Sequence, residues 1–168
     1  MGWGIAERLH AAGAKLVVAD IRPDVVDRAV RTFGATSLPT QTIHRAEVDI
    51  YAPCALGGVI TEVSVGEIRA KAVAGAANNQ LATPRAGAML AERGILFAPD
   101  FVINAGGIIS GLEAASLMPG RKPVELAPLE TRLAAIHDRL AEIFRRSRSD
   151  GRSPEVTAEQ MAREIIGR

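Results

Sequence analysis

Short apolar runs alternate along this chain with longer stretches in which apolar residues recur every three or four positions. The runs Lys15–Asp20, Val48–Tyr51, Lys71–Gly75 and Ile95–Ala98 read as buried strands, and a weaker one lies near Thr36–Leu38, followed by loop to residue 45. The periodic stretches read as helices. Gly2–His10 places Ile5, Leu9 and Ala12 on one face and stops at Gly13. Pro23–Phe33 carries Val25, Val26, Ala29 and Val30, with proline in its first turn and Gly34 as its stop. Thr61–Arg69, Pro84–Arg93 and Ile108–Leu117 follow, then a polar loop over Met118–Pro123. A long helix over Leu126–Ser147 has Leu129, Leu133, Ile136, Leu140, Ile143 and Phe144 on one stripe. A polar turn over Ser149–Ser153 leads to a last helix, Pro154–Ile166, with Thr157 expected to cap it and Gln160 in the capping-box position. Strands alternating with helices predict an α/β fold, a Rossmann-like doubly wound and mostly parallel sheet with C-terminal helices. The expected division is a dinucleotide-binding domain over residues 1–147 and a tail helix over 148–168 packing back on it.

Composition narrows the function classes. The chain has 168 residues, enough for one domain that buries about 70% of its unfolded surface. Apolar residues make up 48% and aromatics 4%, so the interior is built from Ala, Val, Ile and Leu, as in helix-covered parallel sheets. Lys and Arg number 20 against 19 Asp and Glu, which gives no basic field for nucleic acid. A single cysteine excludes an internal disulfide, and no apolar run approaches a membrane span; a cytoplasmic setting is expected. No C-x-x-C or H-E-x-x-H is present, and no metal is expected.

Two kinds of segment carry candidate chemistry. The first is half of a nucleotide-binding unit. Such a unit needs a strand, G-x-G-x-x-G, a helix, and an acid about 20 residues on. Here Gly2 can be only the last glycine, and Asp20 stands where the ribose-binding acid belongs. The first strand and two glycines are expected before Met1, so the sheet is expected to lack its first strand. That strand would sit at the centre, between the strands ending at Asp20 and Tyr51. Without it those two strands must pair directly or recruit a strand from another chain, and the isolated chain is expected to be insoluble, oligomeric or molten.

The second kind is a strand that breaks into small and amide residues, and it occurs three times. These are Ala52-Pro53-Cys54-Ala55-Leu56-Gly57-Gly58-Val59-Ile60, Val73-Ala74-Gly75-Ala76-Ala77-Asn78-Asn79-Gln80-Leu81, and Ala98-Pro99-Asp100-Phe101-Val102-Ile103-Asn104-Ala105-Gly106-Gly107. Ligands of open α/β sheets bind outside the carboxyl ends of strands, and glycine lets backbone approach a flat ligand. With these blocks in this order, residues 2–147 resemble the leucine/phenylalanine/valine dehydrogenases, a branch of the glutamate dehydrogenase superfamily.

The resemblance implies the NAD-binding portion of an enzyme that reversibly deaminates a branched-chain or aromatic L-amino acid to a 2-oxo acid and ammonia. It implies a small-molecule amino-acid substrate and a homo-oligomer at full length. It places Gly2, Asp20, Ile21, Cys54, Ala55 and Asn78 at the cofactor, and Asn79, Asn104, Ile108 and Gly111 on the substrate side. Blander readings stand beside these. Asp20 can simply end a strand, Gly2 can fray, Asn78 and Asn79 can form a turn, and the Asn104 segment can start a helix that needs small residues. Cys54 reads as a packing residue beside the cofactor, because a nucleophile needs a base and only His44 is near in sequence. His10 and His137 read as surface or partly packed residues of helices. In the resembled enzymes a lysine pair and an aspartate of an N-terminal domain do the acid–base work. The lysines here are Lys15, Lys71 and Lys122, none in such a motif, so no catalytic residue is assigned. The alternative is a non-catalytic binding or regulatory module, or a remnant of a truncated gene.

Overall fold

A computed structural model describes residues 1–116 and 126–167. The expected loop over Met118–Pro123, with Lys122, lies outside the described residues. Helix α1, Gly2–Ala11, leads to strand β1, Val17–Val18; α2, Pro23–Phe33, leads to β2, Thr36–Ser37. β1 and β2 pair in parallel, Val17 opposite Thr36. After a 3-10 turn at Ile43–Arg45 come β3 (Ile50–Tyr51), α3 (Glu62–Glu67), β4 (Ala72–Val73), α4 (Pro84–Glu92) and β5 (Leu96–Phe97). These three strands form a second parallel sheet in the order β3-β4-β5, with Ile50, Ala72 and Leu96 in register. Helices α5 (Asp100–Ile103), α6 (Gly106–Ser116), α7 (Leu129–Asp150) and α8 (Pro154–Ile166) complete the described chain. The α/β class and parallel pairing are those expected, and the sheet is divided where the first strand was expected to be absent. No described helix is long and apolar enough to cross a membrane.

Burial is uneven. The main core is Ile60, Val65, Ile68, Ala70, Val73, Ala86, Leu90, Ile95 and Phe97, all within the second sheet and its helices. A smaller cluster joins Ile143, Ala158 and Met161 to Val102 and Phe144, fastening α7 and α8. α1 buries no residue and α2 buries only Ala29. On α7 only Ile143 of the expected stripe is buried; Leu133 is exposed and the others are half-buried.

Several boundaries differ from the expected ones for local reasons. Ile43–Arg45 forms a 3-10 turn where loop was expected. The run Phe101–Ile103 is helical, because the Pro99 carbonyl accepts from the N–H groups of Val102 and Ile103 at 2.9 and 3.0 Å. α6 starts at Gly106, two residues early. α3 ends at Glu67 because Ile68 is extended, at φ −60° and ψ 127°. α7 starts at Leu129, since Pro128 disfavours a helical residue before it, and runs on to Asp150, where Gly151 closes it at φ 65°. The expected break between residues 147 and 148 therefore falls inside a helix. Thr157 does not cap α8. Ser153 holds that position, Pro154 opens the first turn, and the Thr157 hydroxyl donates to the Ser153 carbonyl from inside the helix at 3.1 Å. Gln160 reaches forward to Glu164 instead of back to the cap.

A ladder of ion pairs ties the segment before β3 to the segment before β4. His44 Nε2 lies 2.8 Å from Glu67 Oε2, and Arg45 meets both Glu67 oxygens at 2.8 and 3.1 Å. Arg69 pairs with Glu47 at 2.6 Å and Lys71 with Asp49 at 2.7 Å. His44 first, then Arg45, holds the Glu67 carboxyl below the usual carboxylate range. A lowered folded-state pKa stabilises the fold above the unfolded value and loses that contribution as pH falls through the folded one. Acidification from about pH 7 to about pH 3 is therefore expected to reduce the urea midpoint of the natural chain more than that of Glu67→Gln. Parallel midpoint-against-pH curves for the two proteins would remove Glu67 from the acid response.

Candidate functional site

The three small-residue segments meet at the carboxyl ends of β3, β4 and β5, and they meet through backbone. A Cβ built at Gly75 would come within 2.5 Å of Pro53 N and overlap the Pro53 carbonyl. The Pro53 carbonyl in turn accepts from Ala77 N–H at 2.9 Å. A Cβ at Gly57 would lie 2.6 Å from the Asn78 carbonyl and 2.9 Å from that of Asn79. Gly58 N–H donates to the Asn79 carbonyl at 2.7 Å. The glycines thus make room for neighbouring backbone, where the sequence suggested room for a flat ligand.

Side chains then fix the amide-bearing turn. Asn79 has φ 51°, a left-handed value that asparagine tolerates better than most residues. Its N–H donates to Asp100 Oδ2 at 2.6 Å, a short charge-assisted bond to a buried carboxylate. Gln80 is fully buried, and its Nε2 donates to the carbonyls of Gly75 and Ala77 at 2.9 and 3.0 Å. Asn104 Nδ2 donates to Asn78 Oδ1 at 2.6 Å and to the Ala77 carbonyl at 3.4 Å. Asn78, Asn79 and Asn104 are therefore one connected amide cluster. It adds no net charge beyond Asp100, whose carboxylate is turned to the backbone.

The remaining candidates are dispersed. Gly2, at the start of α1, sits against Cys54: a Cβ there would be 3.3 Å from Cys54 Cβ. Cys54 is half-buried and Ala55 exposed. His44 is held by Glu67 in the ion-pair ladder, which leaves Cys54 without the base a nucleophile needs. Burial, then the neighbouring Cys54, pushes the Tyr51 phenol up. Asp20 and Ile21 follow β1 in the other sheet, both exposed. Asp20 Oδ1 accepts from Arg22 N–H at 3.0 Å, and the Arg22 guanidinium is held 2.7 Å from Asp24. Ile108 and Gly111 lie one turn apart on α6, both exposed and outside the amide cluster. His10 and His137 are exposed, as expected; His10 stacks on Phe33 and His137 lies 3.2 Å from Asp138.

A sequence profile of the Glutamate/Leucine/Phenylalanine/Valine dehydrogenase family matches residues 7–161. The chain belongs to this family. It is 39% identical over 166 residues to the leucine dehydrogenase of Bacillus cereus, covering 99% of this chain and 44% of that one. With the phenylalanine dehydrogenase of Bacillus thermotolerans it shares 38% over 171 residues, covering 99% and 43%. Its fold superposes on the crystal structure of L-tryptophan dehydrogenase from Nostoc punctiforme with a TM-score of 0.88 at 35% identity, covering 99% of this chain and 49% of that one. The chain thus spans less than half the length of the dehydrogenases it matches.

Asp100 and Gln80 hold the amide-bearing turn, although the sequence reading assigns neither a role. Both are polar residues inside apolar or small-residue runs, which is the signal that could have marked them as buried. Glu155 gave no such signal. It is buried on α8, and a Cβ at Gly87 would lie 2.8 Å from its Cδ. Among the described residues no group of three or more His, Cys, Asp or Glu is placed to hold a metal.

Two glycines separate backbone necessity from mere smallness. Gly75→Ala is expected to lose about 4 kcal/mol or more, because the methyl group meets the Pro53 backbone. Gly111 has nothing within 4 Å of its would-be Cβ. Gly111→Ala, inside α6, is expected to be neutral or to stabilise by up to about 1 kcal/mol. Urea unfolding of both variants measures the contrast, and equal losses would contradict it.

Proposed function

We propose that this chain is the NAD-binding portion of an L-amino-acid dehydrogenase and does not turn over substrate alone. The observation that carries the reading is the amide cluster of Asn78, Asn79 and Asn104 at the strand ends, together with an exposed acid after β1. The residues fit a dinucleotide. Asp20 offers a carboxylate to ribose hydroxyls, and its charge opposes a 2′-phosphate. Arg22, the nearby cation that could welcome such a phosphate, is already paired with Asp24. Gly2 brings the N-terminus of the ten-residue helix α1 close to Cys54, where backbone N–H groups favour a pyrophosphate.

Bound NAD would supply a hydride acceptor for the substrate Cα. The chain's own residues orient and exclude. Asn78 would hold the nicotinamide carboxamide without adding charge, and Asn104 and Asp100 hold the turn that bears it. Cys54, Ala55 and Ile21 would line the cofactor site. Asn79, Asn104, Ile108 and Gly111 would lie on the substrate side, where the smallness of Gly111 would admit a bulky aliphatic or aromatic side chain. Lys15 and Lys71 stand at the amino ends of β1 and β4, with Lys71 held by Asp49, so neither reaches these strand ends. The residues that move protons are supplied by a separate lysine-bearing domain. The full enzyme is read as a cytoplasmic homo-oligomer, with α8 as the tail that packs back on the cofactor domain.

The test joins this chain to the N-terminal portion of the Bacillus cereus leucine dehydrogenase. The chimera is expected to reduce NAD with L-leucine, L-valine or L-phenylalanine, at a kcat/KM at least about tenfold above that with NADP, a difference of about 1.4 kcal/mol. Asp20→Ala is expected to narrow that ratio. Comparable values with both cofactors in the unmutated chimera would refute the role of Asp20.

The unfused chain is expected to produce no NADH above background, because each missing acid–base group costs roughly 10²–10⁴ in rate. Turnover of any of the three amino acids by the chain alone would overturn that half of the proposal.

A further inference from the structure

An open cavity of about 370 Å³ lies at the amino ends of the second sheet, at the opposite end from the amide cluster, and Arg45, Glu67, Arg69 and Arg93 stand in its wall. The three arginines come from equivalent places in the fold. Arg45 closes the 3-10 turn before β3, Arg69 lies between α3 and β4, and Arg93 lies between α4 and β5. Neighbouring strands run about 4.8 Å apart. β3, β4 and β5 are parallel and adjacent, so the residues that enter them collect on one side of the molecule.

Positive charge is in excess here. Glu67 is the carboxylate of the wall, and both its oxygens are occupied. Its Oε2 meets His44 Nε2 at 2.8 Å and Arg45 Nε at 3.1 Å, and its Oε1 meets Arg45 Nη2 at 2.8 Å. Arg69 pairs with Glu47 through one nitrogen at 2.6 Å, and both side chains are largely exposed. Arg93 donates through one nitrogen to the Val65 carbonyl and has no carboxylate partner among the described residues. That bond satisfies the carboxyl end of α3, where a cation is favoured. It uses one nitrogen of a guanidinium that carries several donors. Arg69 and Arg93 therefore both keep donors that bond nothing among the described residues, beside the Arg45–Glu67 pair.

We propose that this cavity binds a phosphate group, free or at the end of a phosphate monoester, between Arg69 and Arg93 with Arg45 beside it. A phosphate dianion offers oxygens in several directions and accepts fork donors from separate guanidinium groups. A carboxylate is planar and is filled from fewer sides, as Glu67 is by Arg45 and His44. The cavity is larger than one phosphate, which leaves room for the uncharged body of an ester. The site is independent of the nucleotide reading. It uses the amino ends of the strands, whereas ligands of open α/β sheets take the carboxyl ends.

The test is equilibrium dialysis of the full chain against radiolabelled inorganic phosphate, with glucose 6-phosphate as a second arm, at fixed ionic strength. Dialysis reads binding in any state of assembly. Saturable binding of one phosphate per chain is expected, and Arg69→Gln and Arg93→Gln are each expected to weaken it by about tenfold or more. Arg93 also holds the end of α3, whereas exposed Arg69 does not, so Arg69→Gln separates binding from folding. Arg85→Gln removes an exposed guanidinium paired with Glu92, away from the cavity, and is expected to leave binding unchanged. Proton NMR locates the site: the ring of His44, bonded to Glu67, is expected to shift with phosphate while those of His10 and His137 stay. Tighter binding of glucose 6-phosphate assigns the site to esters, and equal binding assigns it to the phosphate group alone. Four results would overturn the proposal. One is binding that does not saturate. Another is an equal loss in Arg85→Gln, which means bulk charge. A third is binding untouched by Arg69→Gln. The last is saturable binding with an unmoved His44 ring, which places the phosphate elsewhere, as at the amino end of α1, and leaves the nucleotide reading standing.

Discussion

The packing of Gly75 on the Pro53 backbone is the constraint on which the rest of the candidate site depends. It allows the chain leaving β4 to lie directly on the chain leaving β3, with no side chain between them. From that contact follow the Pro53–Ala77 hydrogen bond, the Gly58–Asn79 bond and the Ile60–Leu81 bridge further along. The amide side chains can then be placed by backbone that is already fixed. The buried donors and acceptors of the turn are satisfied locally by Gln80 and Asp100, which matters because an unmet buried polar group costs about 1–3 kcal/mol. One exception stands in the same place: Gln80 Oε1 is buried and has no hydrogen-bond partner.

Much of the fold was legible because its punctuation is strong. The bounds of α2 and α8 agree with the sequence reading residue for residue, each with proline in the first turn and a left-handed glycine at the end. Segment types without such marks were read less well. Asp100–Ile103 looks apolar enough to extend a strand, and only Pro99 redirects it. Thr157 and Gln160 fit a capping pattern, but Pro154 had already set the helix start. For the site, the three glycine and amide blocks were visible as composition, and the structure joins Asn78, Asn79 and Asn104. It leaves Asp20 with Ile21, and Ile108 with Gly111, apart from them. The partners that hold the turn were not legible, because Asp100 meets Asn79, and Glu155 meets Gly87, only through the tertiary fold.

The two halves of the chain are held by different forces. The second sheet has a continuous apolar core, whereas the first β-α-β unit meets α1 through Trp3 on Phe33, and α1 meets the second half through Gly2 against Cys54.

Glu155 and Gly87 belong together in a further sense. The carboxylate of one occupies the volume that a side chain at the other would need, and its Oε2 is buried with no hydrogen-bond partner. Changes at the two positions are therefore not independent. A side chain at Gly87 requires the Glu155 carboxylate to shift or residue 155 to be smaller, so the cost of a change at one position depends on the residue at the other. The hold of helix α8 on α4 is in this sense shared between the two sites.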